Sequence, residues 1–259
     1  MHGERRTMTG IAAALCVAMS LLFAASQAGA DEKIRIGTEG YYPPFNYFDE
    51  SGKLAGFDVD IGEALCEKMK TECELVQQGW DALIPGLLEG KYDLILASMS
   101  ITEEREKKVS FTIPYYSNML TFTGRRNSGI KISDKGLKGK TVGTQRSTIS
   151  ANYLEEHYSG IANVRLYDTQ NAALEDLIAA KLDLVLGDNL PSYAWLQTDA
   201  GKHHEFIGGF IDINDRIGIA VRKGDDLLRQ KLNQALIAIL EDGTYQEINE
   251  KYFPFSIYF

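Results

Sequence analysis

Residues 90–96 read GKYDLIL, and residues 180–186 read AKLDLVL. Both stretches contain a lysine, an aspartate two residues later and then an apolar run. A second pair of motifs occurs in the same order along the chain, with IGTE at 36–39 and VGTQ at 142–145. Each half of the sequence therefore carries the same two strand-to-loop motifs, and this repetition predicts two similar α/β lobes.

Polar residues follow the apolar run in each half of the chain. Ser98 and Ser100 follow it in the first half, and Asp188 and Asn189 follow it in the second. Strands that alternate with helices form mainly parallel sheets with right-handed crossovers. Because open sheets of this kind bind ligands at the carboxyl ends of their strands, we expect these polar residues to lie at a binding site.

Apolar periodicity and capping residues predict the elements around the two repeated strands. Further strands are expected at 33–38, 74–77, 163–167 and 217–221, and helices at 61–70, 80–88, 147–156, 170–180, 191–198, 227–240 and 245–252. The aromatic, proline-rich residues 41–45 are expected to form a stiff loop. Apolar and polar residues alternate over 119–123, which predicts a strand that crosses between the lobes.

The first thirty residues are typical of a secretory signal peptide. Arg5 and Arg6 precede an apolar run at 11–25, and the sequence Ala28-Gly29-Ala30 predicts cleavage after Ala30. The run is shorter than the ~20 residues that a membrane-spanning helix needs. We therefore expect an exported, periplasmic protein that does not insert into the membrane.

Charge and cysteine content exclude several classes of partner. The formal net charge is −9, which disfavours nucleic acid and anionic membranes. Cys66 and Cys73 are the even pair that follows the signal peptide, so an oxidising compartment predicts a disulfide between them. The adjacent His203 and His204 are expected on a surface loop, and neither a metal nor a cofactor is expected.

Three longer motifs resemble one protein family. They are GFDVDIG at 56–62, WDALIPGL at 80–87 and SMSITEER at 98–105, and the likeness extends over essentially the whole mature chain. The chain resembles the polar amino-acid-binding proteins of bacterial ABC importers. Among these proteins, the branch that binds lysine, arginine, ornithine or histidine is the most similar, because Cys66 and Cys73 coincide with the disulfide of that branch.

The resemblance implies an α/β clamshell of the type II periplasmic-binding-protein fold. Each lobe would contain a mainly parallel sheet flanked by helices, and two crossing strands would form the hinge. The expected boundaries are 31–117 and 218–259 for lobe 1, 121–213 for lobe 2, and 118–120 and 214–217 for the hinge.

The resemblance also implies how the backbone of an amino-acid ligand is bound. Arg105 matches the arginine that binds the ligand α-carboxylate, for which the planar guanidinium offers two parallel donors. Asp188 matches the aspartate that pairs with the α-ammonium group. The loop Ser98-Met99-Ser100 and Thr148, on the first turn of a lobe-2 helix, are expected to add backbone and hydroxyl donors for the carboxylate.

Other residues match the positions that meet the ligand side chain. Glu39 and Tyr42 are in this group, and Glu39 occupies a position where the basic amino-acid binders are expected to carry aspartate. Trp80 matches an aromatic residue that stacks on the ligand, and tryptophan is the strongest cation–π partner. Gln145 lies beside Arg146, which replaces an expected glycine and would either meet a ligand carboxylate, repel a cationic ligand or point to solvent.

These residues favour arginine as the ligand, ahead of lysine, ornithine and histidine. We expect a monomer that captures the amino acid by lobe closure and delivers it to an ABC permease. An opine receptor is the alternative, because some opine-binding relatives carry glutamate at the position of Glu39. A dehydratase-like enzyme or a sensor domain is a more distant alternative. We find no nucleophile and base at motif spacing in the sequence, which argues against an enzyme. We also find no transmembrane helix, which argues against a sensor domain.

Overall fold

The computed structural model describes residues 33–258. The predicted signal peptide at residues 1–30 lies outside this range. The strands are β1 (Ile34–Thr38), β2 (Tyr41–Tyr42), β3 (Asn46–Phe48), β4 (Leu54–Ala55), β5 (Cys73–Gln77), β6 (Leu94–Ile95), β7 (Val109–Phe111), β8 (Tyr116–Arg125), β9 (Thr141–Gln145), β10 (Asn163–Tyr167), β11 (Leu184–Asp188), β12 (His204–Ile217) and β13 (Ala220–Arg222).

Helices connect these strands. They span Phe57–Met69, Leu83–Leu88, Glu103–Glu106, Asp134–Leu137, Ile149–Tyr158, Gln170–Ile178, Asn189–Leu196, Asp226–Glu241 and Thr244–Tyr252, with a 3₁₀ turn at Trp80–Ala82. Within residues 33–258, no helix has the length and apolar character needed to cross a bilayer.

Two five-stranded sheets have matching topologies. The first has the order β5-β1-β6-β13-β7 and the second the order β10-β9-β11-β8-β12. In each sheet the first three strands are parallel and the fourth is antiparallel to its neighbours. The predicted two-lobed α/β architecture is confirmed, with mixed sheets in which the parallel part holds the repeated motifs. A small third sheet, β2-β3-β4, lies beside the first.

The repeated aspartates have the same structural role in both lobes. Asp93 accepts a hydrogen bond from the backbone N–H of Arg35 at 3.0 Å and donates its own N–H to the Arg35 carbonyl at 2.8 Å. Asp183 makes the same pair of bonds with Thr141, at 2.8 and 2.9 Å. In each lobe the aspartate therefore joins the start of one parallel strand to the start of the next.

The repeated glycines allow close packing at equivalent places in the two sheets. A Cβ at Gly37 would lie 2.6 Å from the ring of Tyr92, and one at Gly143 would lie 2.3 Å from Leu182. Since real Cβ contacts are never this short, a side chain at either position would displace its neighbour. The glycines in IGTE and VGTQ are thus explained by the residue that precedes each repeated aspartate.

Helices cover both faces of the first sheet. On one face the helix Phe57–Met69 packs against the helices Asp226–Glu241 and Thr244–Tyr252, around buried side chains such as Leu65 and Leu236. On the other face a second cluster includes Leu83, Leu87, Ile95, Val109 and Ala220. The second sheet has its own cores, so each lobe carries its own buried apolar interior.

The strands β8 and β12 form a long antiparallel pair. Their register extends from Tyr116 opposite Ile217 to Arg125 opposite His204, with two register shifts in β12. At the first-sheet end of this pair, Ser100 forms an isolated bridge with Ile217. The hinge residues that we predict, 118–120 and 214–217, belong to these two strands.

The predicted disulfide is present between Cys66 and Cys73, whose Cα atoms are 6.2 Å apart. It joins the helix Phe57–Met69 to the first residue of β5. Two other predictions differ from the structure. Residues 41–45 are not wholly a loop, because Tyr41–Tyr42 pairs with β3. The strand predicted at 217–221 is interrupted between Ile217 and Ala220, where a Cβ on Gly218 would lie 2.8 Å from Ile101.

The prediction of a surface loop at the two adjacent histidines was wrong for one of them. His204 is the first residue of β12 and is 4% exposed, with its ring 5.0 Å from that of Trp195. His203 precedes the strand and is exposed. The difference arises because His204 pairs with Arg125 of β8, a contact between residues far apart in sequence.

Candidate functional site

A cavity lies between the two large sheets, with a free volume of about 30 Å³. Its lining residues are Glu39, Tyr42, Trp80, Ala97, Ser98, Ser100 and Arg105 from the first half of the chain, and Gln145, Thr148, Ile149, Ser150, Gln170, Gly187 and Asp188 from the second. All the residues that we predict to bind the ligand belong to this lining, with the exception of Met99.

The side chain of Met99 points away from the cavity and into the core. Its side chain is 2% exposed and packs in the apolar cluster with Leu83 and Val109. Ser98 and Ser100 line the cavity, whereas the side chain of Met99 between them packs in the core.

The segment that contains Ser98 is fixed by a buried carboxylate. Ser98 has a φ of 52°, in the left-handed region, and its hydroxyl donates to Asp58 Oδ2 at 2.9 Å. Asp58 also accepts from Asn46 Nδ2 at 2.9 Å and from the Tyr115 hydroxyl at 2.7 Å. Burial raises the pKa of Asp58, and these hydrogen bonds act in the opposite direction. They compensate the carboxyl group for its loss of water.

Ser100 is bound in a similar way by another buried acid. Its hydroxyl donates to Asp215 Oδ2 at 3.3 Å, and the same oxygen accepts from Asn118 Nδ2 at 3.1 Å. Burial raises the pKa of Asp215. Both serine hydroxyls, which we predict to be ligand donors, are therefore already engaged with carboxylates. The backbone N–H of Ser100 takes no part in its strand bridge, whose bonds are made by Ile101 and Met99.

Arg105 lies on the short helix Glu103–Glu106, which Thr102 caps. Its guanidinium donates from Nη1 to the Ser100 carbonyl at 2.9 Å and from Nη2 to the Ser147 carbonyl at 3.1 Å. Its Cζ atom lies 5.2 Å from the centre of the Trp80 ring, in cation–π contact. Burial lowers the pKa of Arg105, whereas the nearby carboxylates, Asp215 first, raise it.

Asp188 is the last residue of β11, which belongs to the second half of the chain, whereas Arg105 belongs to the first half. It accepts a hydrogen bond of 2.5 Å from the hydroxyl of Tyr42. Burial and the charge of Asp215 raise the pKa of Asp188 to about 6, against the hydrogen bonds from Tyr42 and Asn118. Burial also raises the pKa of Tyr42 above its ordinary value, so the phenol remains a donor.

Glu39 lies just after β1 and is 2% exposed. Gln145 of β9 donates from Nε2 to Glu39 Oε1 at 2.6 Å and to the Asp168 carbonyl at 3.0 Å. Burial is the main reason that the pKa of Glu39 is raised to about 7, with a further contribution from Asp81, while the bond from Gln145 lowers it. A cationic group next to the buried Glu39 would favour its charged form and lower its pKa.

The helix Ile149–Tyr158 begins at the cavity. Thr148 is its N-cap, and the Thr148 hydroxyl accepts from the N–H of Ala151 at 3.2 Å and donates to the Gln145 carbonyl at 2.7 Å. The preceding residue, Ser147, has a φ of 56°, in the left-handed region. Its carbonyl accepts both from Arg105 and from the indole N–H of Trp80, the latter at 3.1 Å.

Several residues near the cavity had no predicted role. Gln170 lines it as the first residue of the helix Gln170–Ile178, and Asp215 and Asn118 support it from the crossing strands. Their only sequence signal is a polar residue near a predicted strand end or crossing strand. Arg146 is not part of the cavity lining, and its guanidinium pairs with Asp168 at 3.1 Å.

Two α/β lobes with a charged cavity between them define the class of extracellular solute-binding proteins. Residues 34–255 match the family model for bacterial extracellular solute-binding proteins, family 3, and the chain belongs to this family. The family membership that we expect from the sequence motifs is thereby confirmed.

Several similar proteins are named as arginine-binding proteins. The chain is 42% identical to the L-arginine-binding protein of Pseudomonas aeruginosa over 236 residues, which cover 88% of this chain and 91% of that protein. It is 38% identical to ABC transporter arginine-binding protein 1 of Escherichia coli over 229 residues, 88% of this chain and 93% of the relative. Among solved structures, an ancestral arginine-binding protein bound to arginine matches with a TM-score of 0.81 at 35% identity, covering 85% of this chain and 98% of that one.

Proposed function

We propose that this protein binds L-arginine in the periplasm and delivers it to an ABC permease. The observation that carries the proposal is the arrangement of charge in one cavity between the lobes. A single cation, Arg105, comes from the first half of the chain, and two acids, the buried Glu39 and the half-buried Asp188, come from different halves. An arginine molecule carries the complementary set, with one carboxylate and two cationic groups.

The guanidinium of Arg105 would bind the ligand α-carboxylate. The N-terminus of the helix Ile149–Tyr158 lies at the same cavity and favours an anion. The backbone N–H of Ser100 is a further donor near Arg105, whose Nη1 already contacts the Ser100 carbonyl. Asp188 would accept the α-ammonium group, with Tyr42 fixing the carboxylate by its hydrogen bond.

Glu39 would bind the guanidinium of the ligand side chain. Its carboxylate is buried and has only the neutral amide of Gln145 as a side-chain hydrogen-bond donor among the described residues. A guanidinium would supply the charge that the buried carboxylate lacks. Trp80 would serve as an aromatic wall beside Arg105 rather than above the ligand cation, because its ring already stacks on Arg105.

Closure follows from the division of these groups between the lobes. Arg105 and Asp188 contact opposite ends of the same zwitterion, so the ligand gains both contacts only when the lobes are together. A ligand shifts a conformational equilibrium by its difference in affinity for the two states, and here that difference favours the closed state. We propose lobe boundaries at 31–117 and 218–259 for lobe 1 and 121–213 for lobe 2, with movement at 118–120 and 214–217.

The other properties that we propose follow the family. The mature chain would begin after Ala30 and act as a monomer, without catalysing a reaction on its ligand. An opine carries additional carboxylates that need additional cations. The pairing of Arg146 with Asp168, away from the cavity, supports arginine over an opine.

Calorimetry with arginine and citrulline tests the proposal, because citrulline has a neutral group in place of the guanidinium. Arg105→Ala should weaken both ligands by about 100-fold or more, since a charged group loses its partner. Glu39→Gln should weaken arginine by about tenfold or more and change citrulline much less. Arg146→Ala, a matched removal of an arginine outside the cavity, should leave both affinities unchanged.

Unchanged arginine affinity in both Arg105→Ala and Glu39→Gln would reject the assignment. A thermal-shift panel of the common amino acids and opines identifies the ligand independently, because a ligand that binds only the folded state raises the melting temperature. Stabilisation by opines without stabilisation by any basic amino acid would favour the alternative. Conversion of cyclic amino-acid or keto-acid substrates would instead indicate an enzyme.

A further inference from the structure

Gln170 is a buried polar side chain in the cavity that the charged residues do not explain. It is 6% exposed and lies at the first position of the helix Gln170–Ile178, after the capping residue Thr169. Among residues 33–258, its carboxamide has no hydrogen-bond partner, although it belongs to the cavity lining. Neither amide atom is among the fully buried polar atoms without a partner, so the amide is accessible from the cavity and can hydrogen-bond a ligand there.

The amide lies against the strand β11, which ends at Asp188. Gln170 Nε2 lies over Gly187, where a Cβ would be 2.1 Å from it. Gly187 immediately precedes Asp188. The parallel register of β11 and β9, with Val185 opposite Gly143, brings Gly187 beside Gln145 two residues further along. The absence of a side chain at Gly187 therefore makes room for the Gln170 amide next to the residue that contacts Glu39.

A second cavity of about 290 Å³ is also lined by Gln170. Tyr42 and Gln170 line both cavities, and the second lining contains no charged side chain. The Gln170 amide lies against Gly187, which lines the first cavity and not the second. A cationic group that reaches this amide would therefore lie in the first cavity, where the acids are.

We propose that the Gln170 carboxamide hydrogen-bonds the guanidinium of bound arginine together with Glu39, and that this contact selects arginine over lysine. A guanidinium presents five N–H donors in a planar fork, so it can serve a carboxylate and a neighbouring amide oxygen at once. The ammonium of lysine concentrates its donors on one atom and reaches Glu39 without spanning to Gln170. This inference rests on the proposed arginine function.

The test is a comparison of arginine and lysine affinities by calorimetry in three proteins. Gln170→Met keeps the length of the side chain and its packing toward the second cavity but removes the hydrogen-bonding group. It should weaken arginine by about tenfold and lysine by less than about threefold, the range expected for one buried hydrogen bond to a charged group. Asn171→Leu is the matched control, because Asn171 is the next residue of the helix and lines only the second cavity. It should change neither affinity.

Each outcome separates the inference from the proposed function. If the unsubstituted protein does not bind arginine, the proposed function fails in the first titration. If it binds arginine and Gln170→Met binds it equally well, or if arginine and lysine weaken equally, the role of Gln170 is refuted. If thermal melting indicates that Gln170→Met does not fold, Gly187→Ala replaces it, because its Cβ would displace the amide. The same selective loss of arginine affinity is then expected, and its absence would overturn the inference.

Discussion

At the scale of single residues, two acids in the cavity, Glu39 and Asp188, have pKa values raised toward neutral pH. Burial raises the pKa of Glu39 to about 7 and that of Asp188 to about 6. Between its ordinary value and about 7, Glu39 binds a proton more tightly in the folded protein than in the unfolded chain. Its contribution therefore makes the free protein less stable as the pH rises through this interval.

We predict that arginine affinity falls as the pH is lowered below about 7. A cationic side chain lowers the pKa of Glu39 in the complex, so binding at lower pH must release a proton. The expected loss is up to about tenfold per pH unit. Calorimetry from pH 5.5 to 8.5 measures it. In Glu39→Gln the loss near pH 7 should disappear and only a loss beginning near pH 6, from Asp188, should remain. The same profile in both proteins would contradict the role of Glu39.

The sequence motifs identified most of the cavity residues but not their partners. Arg105 and Glu39 were predicted from the family resemblance, and Asp188 was predicted both from that resemblance and from its place at the end of a repeated strand. The hydroxyls of Ser98 and Ser100 were expected to be available, yet they bind acids 40 and 115 residues away in the chain. No local sequence pattern predicts such partners, because they are distant in the sequence and meet only in the folded protein.

At the scale of elements, the disulfide between Cys66 and Cys73 connects a helix to the neighbouring strand β5. We predict that the double variant Cys66→Ser, Cys73→Ser lowers the free energy of unfolding by up to about 3 kcal/mol, because the closed loop is short. Neither cysteine lines the cavity, so arginine affinity should be unchanged in the folded protein. Denaturant unfolding and calorimetry measure the two quantities. A loss of affinity without a loss of stability would contradict this separation.

Regular elements followed their sequence patterns more closely than short ones did. The strand predicted at 163–167 agrees with β10, and the helix predicted at 227–240 lies within Asp226–Glu241. In contrast, β2 has only two residues and exists through its pairing with β3. An element of that length has too little periodicity to be recognised before its partner is known.

At the scale of the whole molecule, the lobes are joined directly across the cavity. Tyr42 donates to Asp188, Gln145 donates to Glu39, and Trp80 and Arg105 both donate to the Ser147 carbonyl. These bonds connect the lobes in addition to the crossing strands. The repeated motifs predicted two lobes, but their amino-acid patterns contained no information about these contacts, which form only between groups from different lobes.

We predict that Trp80→Phe speeds arginine dissociation by several-fold. The substitution keeps an aromatic ring beside Arg105 but removes the indole N–H that donates to Ser147, and one such hydrogen bond contributes about 0.5–1.5 kcal/mol. Stopped-flow competition measures the dissociation rate. Trp195→Phe is the matched control, since Trp195 packs against His204 and does not line the binding cavity. Equal rates in the two variants would rule out a contribution of the indole to closure.

The carbonyl of Ser147 has a consequence for how this protein can evolve. It accepts from two donors of the opposite lobe, and it is oriented by a left-handed backbone conformation rather than by its side chain. The side chain at 147 is exposed, so natural selection acts there on conformation and not on chemistry. Glycine and asparagine tolerate that conformation, so either replacement would be close to neutral. A β-branched residue does not tolerate it, so selection would act against that replacement. A position that varies among descendants can therefore still be essential to lobe closure.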